Sequence, residues 1–272
     1  MKYLQTMITV AVGGAVLALG GSAVAQSTKS CLVMVVRVQG QARYSLGDNA
    51  WHPLVVGKIL RSGAIIQSAA NSSVDIVLSG DPVGMPQAEP SPNTIQFAPD
   101  PNVRGLVSYK PMVQQNVIRM WGDTVLAIDK LTQYDTGVDT VSDTELDLRA
   151  GRIFFNVKKM SATSQFLIKI PSGVAGIRGS WGVLDSTGDL AMGEGSGVIA
   201  IGAMVHVVNA GFQFNSQGGN GGDVTPISQL ILNNFRTTLA SLITLYQAPG
   251  GSPPSGSDST QNCGSRVLSI QF

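Results

Sequence analysis

Few side chains in this chain are able to do chemistry, and their spacing limits what they can do. His52 and His206 are the two histidines, and neither lies in an H-E-x-x-H pattern. Cys31 and Cys263 form no C-x-x-C pair, so the sequence contains no zinc ligand set. A G-x-S-x-G nucleophile elbow and a G-x-x-x-x-G-K-[ST] phosphate loop are both missing. Gly193-Glu194-Gly195-Ser196-Gly197 is glycine-rich without G-x-G-x-x-G spacing and reads as a β-turn. Glycoside hydrolysis would need two carboxylates about 5 to 10 Å apart; Asp185 and Asp189 are the nearest candidates, and no motif surrounds them. The expectation is a chain with no catalytic residue and no cofactor.

Two acidic or glycine-rich stretches raise the question of calcium. Asp135, Asp139, Asp143, Glu145 and Asp147 fall together with no base before Arg149, and oxygen-rich loops hold Ca²⁺. EF-hand spacing is absent, and Leu146 and Leu148 alternate with Glu145 and Asp147, the pattern of a strand with a solvated acidic face. Both readings stay open. Gly218-Gly219-Asn220-Gly221-Gly222-Asp223 fits the start of a calcium-binding nonapeptide only once, and such sites need stacked repeats, so it reads as a Gly-rich linker, 217–224.

The elements around these residues are strands. Apolar or alternating runs recur at Leu32 to Val38, Ala64 to Gln67, Val74 to Leu78, Val117 to Trp121, Val125 to Ile128 and Glu145 to Leu148. They continue at Arg152 to Lys158, Phe166 to Ile170, Trp181 to Leu184, Val198 to Ile201, Met204 to Val208 and Phe212 to Phe214. Short strands about every ten residues with glycine turns predict an all-β sandwich, barrel or solenoid. His206, between Val205 and Val207, is expected on a solvated strand face, and His52 in a turn. Between Ile170 and Trp181, Pro171, Gly173, Gly176 and Gly179 punctuate the chain and pin Arg178 in a Gly-flanked bend. A fork of five donors placed there is expected to tie several backbone carbonyls together.

The run Val174, Ala175, Gly176, Ile177, Arg178, Gly179 resembles the motif of the FecR-type domain of bacterial envelope proteins. Ile170 and Ser180 stand where that family usually has threonine. Val38 to Gly80, with Gly40, Trp51, Pro53-Leu54, Gly57, Gly63 and Ser72-Ser73, is similar to the family's opening, and Trp121 to Thr132 to a linking strand. The resemblance implies a FecR-type β-domain over 26–216, an elongated β-solenoid or roll, and a protein that recognises a partner in the envelope.

Compartment follows from the amino terminus. After Lys2 no charge occurs through Ala25, and Ala23-Val24-Ala25 precedes Gln26, the order of a secretory signal peptide over 1–25. The rival reading is an uncleaved anchor, since about 20 apolar residues span a bilayer. Either way the chain is expected to be exported, to the periplasm, the extracellular space or the cell surface. An even cysteine count in an oxidising compartment favours a Cys31–Cys263 disulfide. Lys and Arg number 18 against 17 Asp and Glu, and losing Lys2 with the signal balances them. That leaves no electrostatic footprint for nucleic acid or anionic lipid, so membrane contact is expected through the signal alone.

Two segments break the β pattern. Seven prolines within 81–111 predict an exposed insertion loop. From Thr225 as N-cap and Pro226 at the first position, apolar spacing predicts an amphipathic helix over 225–247. A flexible linker, 248–262, and a terminal strand, 263–272, follow. Together these features predict an exported, non-enzymatic recognition or assembly scaffold at the bacterial cell envelope, bound to an envelope protein or glycan. Two alternatives stand beside it: a self-assembling envelope or surface subunit that pairs its terminal strand, Val267 to Phe272, with another copy, and a carbohydrate-active β-solenoid enzyme. Signalling FecR proteins are expected to carry a cytoplasmic sigma-regulating segment ahead of their apolar run; here Met1 to Tyr3 alone precedes that run, so the sigma-regulating role is not expected.

Overall fold

The computed structural model describes residues 28–48, 50–79, 88–89, 108–109, 115–218 and 221–242. The expected signal, most of the Pro-rich insertion, residues 243–272 and Cys263 lie outside the described residues. The strands are β1 (Lys29–Ser30), β2 (Leu32–Gln39), β3 (Ala42–Ser45), β4 (His52–Pro53), β5 (Ile59–Leu60), β6 (Ile65–Ser68) and β7 (Ser73–Ser79). Next come β8 (Ala88–Glu89), β9 (Ser108–Tyr109), β10 (Asn116–Met120), β11 (Val125–Asp135), β12 (Thr140–Ala150), β13 (Arg152–Asn156) and β14 (Gln165–Ile170). The chain continues through β15 (Gly173–Ile177), β16 (Trp181–Asp185), β17 (Leu190–Glu194), β18 (Ser196–Ile201), β19 (Met204–Asn209), β20 (Phe212–Asn215) and β21 (Asp223–Pro226) to a helix, α1 (Gln229–Leu242).

Two open sheets face each other. One runs β19-β18-β15-β14-β12-β11-β6-β3-β4 and the other β21-β20-β17-β16-β13-β10-β7-β2-β5. Their facing sides alternate in sequence with their outer sides, so Ile66, Ile128, Leu146, Phe166 and Ile199 of the first sheet meet Val33, Ile76, Ile118, Phe155 and Phe214 of the second in one core. From β14 onward the chain lays two strands in one sheet, then two in the other. A stacked solenoid would pair successive turns in parallel; β12–β14 is the one parallel ladder among the described residues, and the rest are antiparallel. The mostly-β expectation therefore holds as a two-sheet sandwich, and the ladders do not establish an elongated solenoid or roll. Within the Pro-rich insertion, β8 and β9 pair as a two-stranded ribbon.

The second sheet is apolar on its outer side as well. Leu32, Met34, Val36, Val77, Val117, Phe154, Trp181 and Val183 form a second cluster, against which Phe235, Leu239 and Leu242 of α1 pack. Coverage on both sides explains why β2 reads as an unbroken apolar run. The helix begins later than its spacing suggests. Thr225 and Pro226 belong to β21, paired with Gln213 and Phe212, and the Ser228 hydroxyl accepts the Ile231 N–H at 3.4 Å as the cap. Gly-rich 217–224 is likewise shorter as a linker, because Asp223 already enters the ladder opposite Asn215.

Candidate functional site

The Arg178 bend is a crossing between the sheets. β15 lies in the first sheet and β16 in the second, so residues 178–180 carry the chain across. Gly173 and Gly176 are strand residues, not punctuation: a Cβ on Gly173 would stand 1.9 Å from the Ala200 carbonyl oxygen, and one on Gly176 would pack on Leu167. Gly179 sits at φ +66°, with a Cβ position 2.8 Å from Lys159 Cα. Arg178 is exposed and reaches one carbonyl, Ser161, at 3.5 Å. The expected clamp on several carbonyls is not present. Ser180 fastens the crossing instead: its buried hydroxyl donates to the Ser196 carbonyl at 3.0 Å and accepts the Ser196 N–H at 3.1 Å.

Residues 112–194, which contain this crossing, match the FecR protein family. This span is similar to a FecR domain. The matched span starts just ahead of β10 and ends at the close of β17. Two crystal structures of an anti-sigma factor candidate from Parabacteroides distasonis are similar to 46% of this chain at 11% identity, with TM-scores of 0.36 and 0.35. The chain spans 57% of those structures. None of the curated proteins matches it.

Acidic side chains in and around the matched span are engaged in pairs and turns. Asp143, Glu145 and Asp147 project from the outer side of β12, where Lys130 bonds Asp143, Arg149 Nε lies 2.7 Å from Asp147, and Lys169 Nζ lies 2.9 Å from Glu145 and 3.1 Å from Asp129. The hydrogen bond to Glu145, then that to Asp129, raises the Lys169 pKa, and the bond to Asp143 raises that of Lys130. Asp135 and Asp139 lie at the exposed β11–β12 turn, so the five acids are spread along a hairpin. Asp185 accepts the Thr187 N–H and hydroxyl and pairs with Arg152 at 3.1 Å. Asp189 accepts the Ser216 N–H and hydroxyl, both at 2.8 Å. Of the candidate hydrolase pair, Asp185 thus closes its own turn and Asp189 fastens the start of the loop after β20.

His206 differs from expectation. Its ring faces inward, 4.5 Å from that of Phe214, while Val205 and Val207 are 66% and 56% exposed. Pairing of Ile199 with His206 sets this register, and Ile199 belongs to the core. The outer side at this end is then a valine surface, Val198, Val205 and Val207, on a sheet whose last strand, β19, has one edge unpaired among the described residues. Residues 195–222 contain no Asp, Glu, Lys or Arg. Charged residues and proline are the usual guards of an exposed edge, and β19 has neither.

At the opposite end the first sheet finishes differently. His52 is a strand residue, not a turn, opposite Tyr44, and Pro53 stands opposite Arg43. Arg43 Cζ lies 4.4 Å from the Trp51 ring centroid, and its Nε donates to Gln67 Oε1 at 2.9 Å. These side chains line an open groove of about 730 Å³. Cys31, in the core at 1% exposure, has its Sγ 4.0 Å from Gln133 Oε1.

Proposed function

We propose that this chain is an exported, non-enzymatic FecR-domain protein that serves as a recognition or assembly scaffold at the bacterial cell envelope. The observation that carries the reading is the β19 end of the sandwich, where an unguarded edge, three exposed valines and an uncharged stretch coincide. Such an edge receives an extended segment of a partner protein by adding it as a further strand. The engaged carboxylates described above support a role other than hydrolysis.

A photo-crosslinker placed at Val205 in the full chain, expressed in a bacterium and followed by fractionation, tests this. Export predicts an envelope protein whose N-terminus begins at Gln26, with a discrete crosslinked species from Val205. The same group at Val138, 88% exposed on the β11–β12 hairpin, serves as the control and should give none. Recovery in the cytoplasm, or equal crosslinking at both sites, would sink the proposal.

A further inference from the structure

Trp51 is 41% exposed in a protein whose other tryptophans are half-buried, Trp121, or 7% exposed, Trp181. One side of its ring carries the Arg43 guanidinium, which Gln67 holds in place through Nε. Stacking uses the π-face of a guanidinium and leaves its in-plane Nη donors available for a planar carboxylate. Among the described residues no carboxylate pairs with Arg43, and no Asp or Glu lines the groove. Asp48, the nearest acid in sequence, turns instead onto the Ala50 N–H at 3.2 Å, and that bond leads in lowering its pKa. His52 and Gln41 add exposed polar groups along the same wall.

Strand addition is blocked at this end. β4 is the last strand of its sheet and carries Pro53, which has no N–H to offer a further strand. Recognition here must therefore run through side chains. A groove of this size with an aromatic platform and a few oriented polar groups is the usual form of a small-ligand site.

We infer that the Arg43–Trp51–His52 groove binds an acidic glycan, with a sugar ring against Trp51 and its carboxylate on the Arg43 guanidinium. This site stands apart from the β19 edge, and its test needs neither export nor a protein partner. Titration calorimetry of the full chain with tetragalacturonate, the neutral cellotetraose and inorganic phosphate decides it. Tetragalacturonate should bind saturably and more weakly as salt rises. Trp51→Ala should weaken both oligosaccharides at least about tenfold. Arg43→Gln should weaken the acidic one about tenfold and leave the neutral one unchanged. Val207→Lys, at the far end of the sheet, should leave all three titrations as they were. Melting curves establish that each variant is folded. Absence of saturable binding, an unchanged Trp51→Ala titration, or phosphate competing as well as tetragalacturonate would each overturn the inference.

Discussion

Lys158 offers a sharp test of the packing. Its Nζ is buried and has no hydrogen-bond partner among the described residues, and its backbone N–H is held by Asn116 Oδ1 at 2.9 Å directly after β13. Burial lowers its pKa from 10.5 to about 7. In the unfolded chain the ammonium is solvated and keeps its ordinary value, so between pH 7 and 10.5 the unfolded state binds one proton more than the folded state. Stability must then rise with pH across that window, by about 1.4 kcal/mol per unit. The penalty is full below pH 7 and gone above 10.5. Its ceiling is about 5 kcal/mol, from the shift at about 1.4 kcal/mol per unit. Lys158→Met keeps the stem and removes the charge. Urea unfolding at pH 7 should show the variant more stable by about 2 kcal/mol or more, and the gap should close steadily toward pH 10.5. A variant less stable than the parent at pH 7, or parallel pH curves for the two proteins, would refute a buried, unpaired ammonium.

Four further outcomes are expected. Asp75, 3% exposed, takes a bidentate bond from Arg119 at 2.7 and 2.8 Å and a third contact from Arg37 at 2.8 Å; Asp75→Asn strands Arg119 and should cost about 3 to 5 kcal/mol in urea unfolding. Gly173→Ala drives a methyl into the Ala200 carbonyl and should cost about 2 kcal/mol or more, read as a drop in melting temperature. Arg178→Lys, at an exposed side chain with one long contact, should shift stability by less than about 1 kcal/mol; a larger loss would restore a clamping role. A non-reduced digest of protein from the envelope should yield linked Cys31 and Cys263 peptides, and two freely alkylated thiols would exclude the pairing.

Each strand run read from apolar pattern between Leu32 and Phe214 corresponds to an element of the structure, because pattern reports burial and the two-sheet core buries one side of these strands. β15 was hidden for a physical reason. Glycine ordinarily weakens a strand, yet here Gly173 and Gly176 let β14 and β18 approach a backbone that a side chain would hold away. Thr225-Pro226 carried a genuine helix-start signal, but ladder bonds to β20 outweighed local capping preference. The groove was less legible still: Arg43, Trp51 and Gln67 meet only because β3 pairs with both β4 and β6, and no linear spacing announces that. The Arg178 motif was visible at once as letters, while the fastening role had passed to Ser180 beside it.

The position of α1 bears on how the protein comes apart. Strands added in alternating pairs touch mainly their neighbours, and a quasi-one-dimensional array of that kind frays from whichever end is free. The helix follows the last strand of the second sheet, yet lies back across it: Leu242 packs with Met34 and Val117, and Ser241 accepts a hydrogen bond from Arg119 Nη1 at 2.8 Å. The latest part of the described chain thus rests on strands laid down early. Loss of α1 is thereby transmitted to β2 and β10, and a body of strands that would otherwise unzip in stages is tied across its described length.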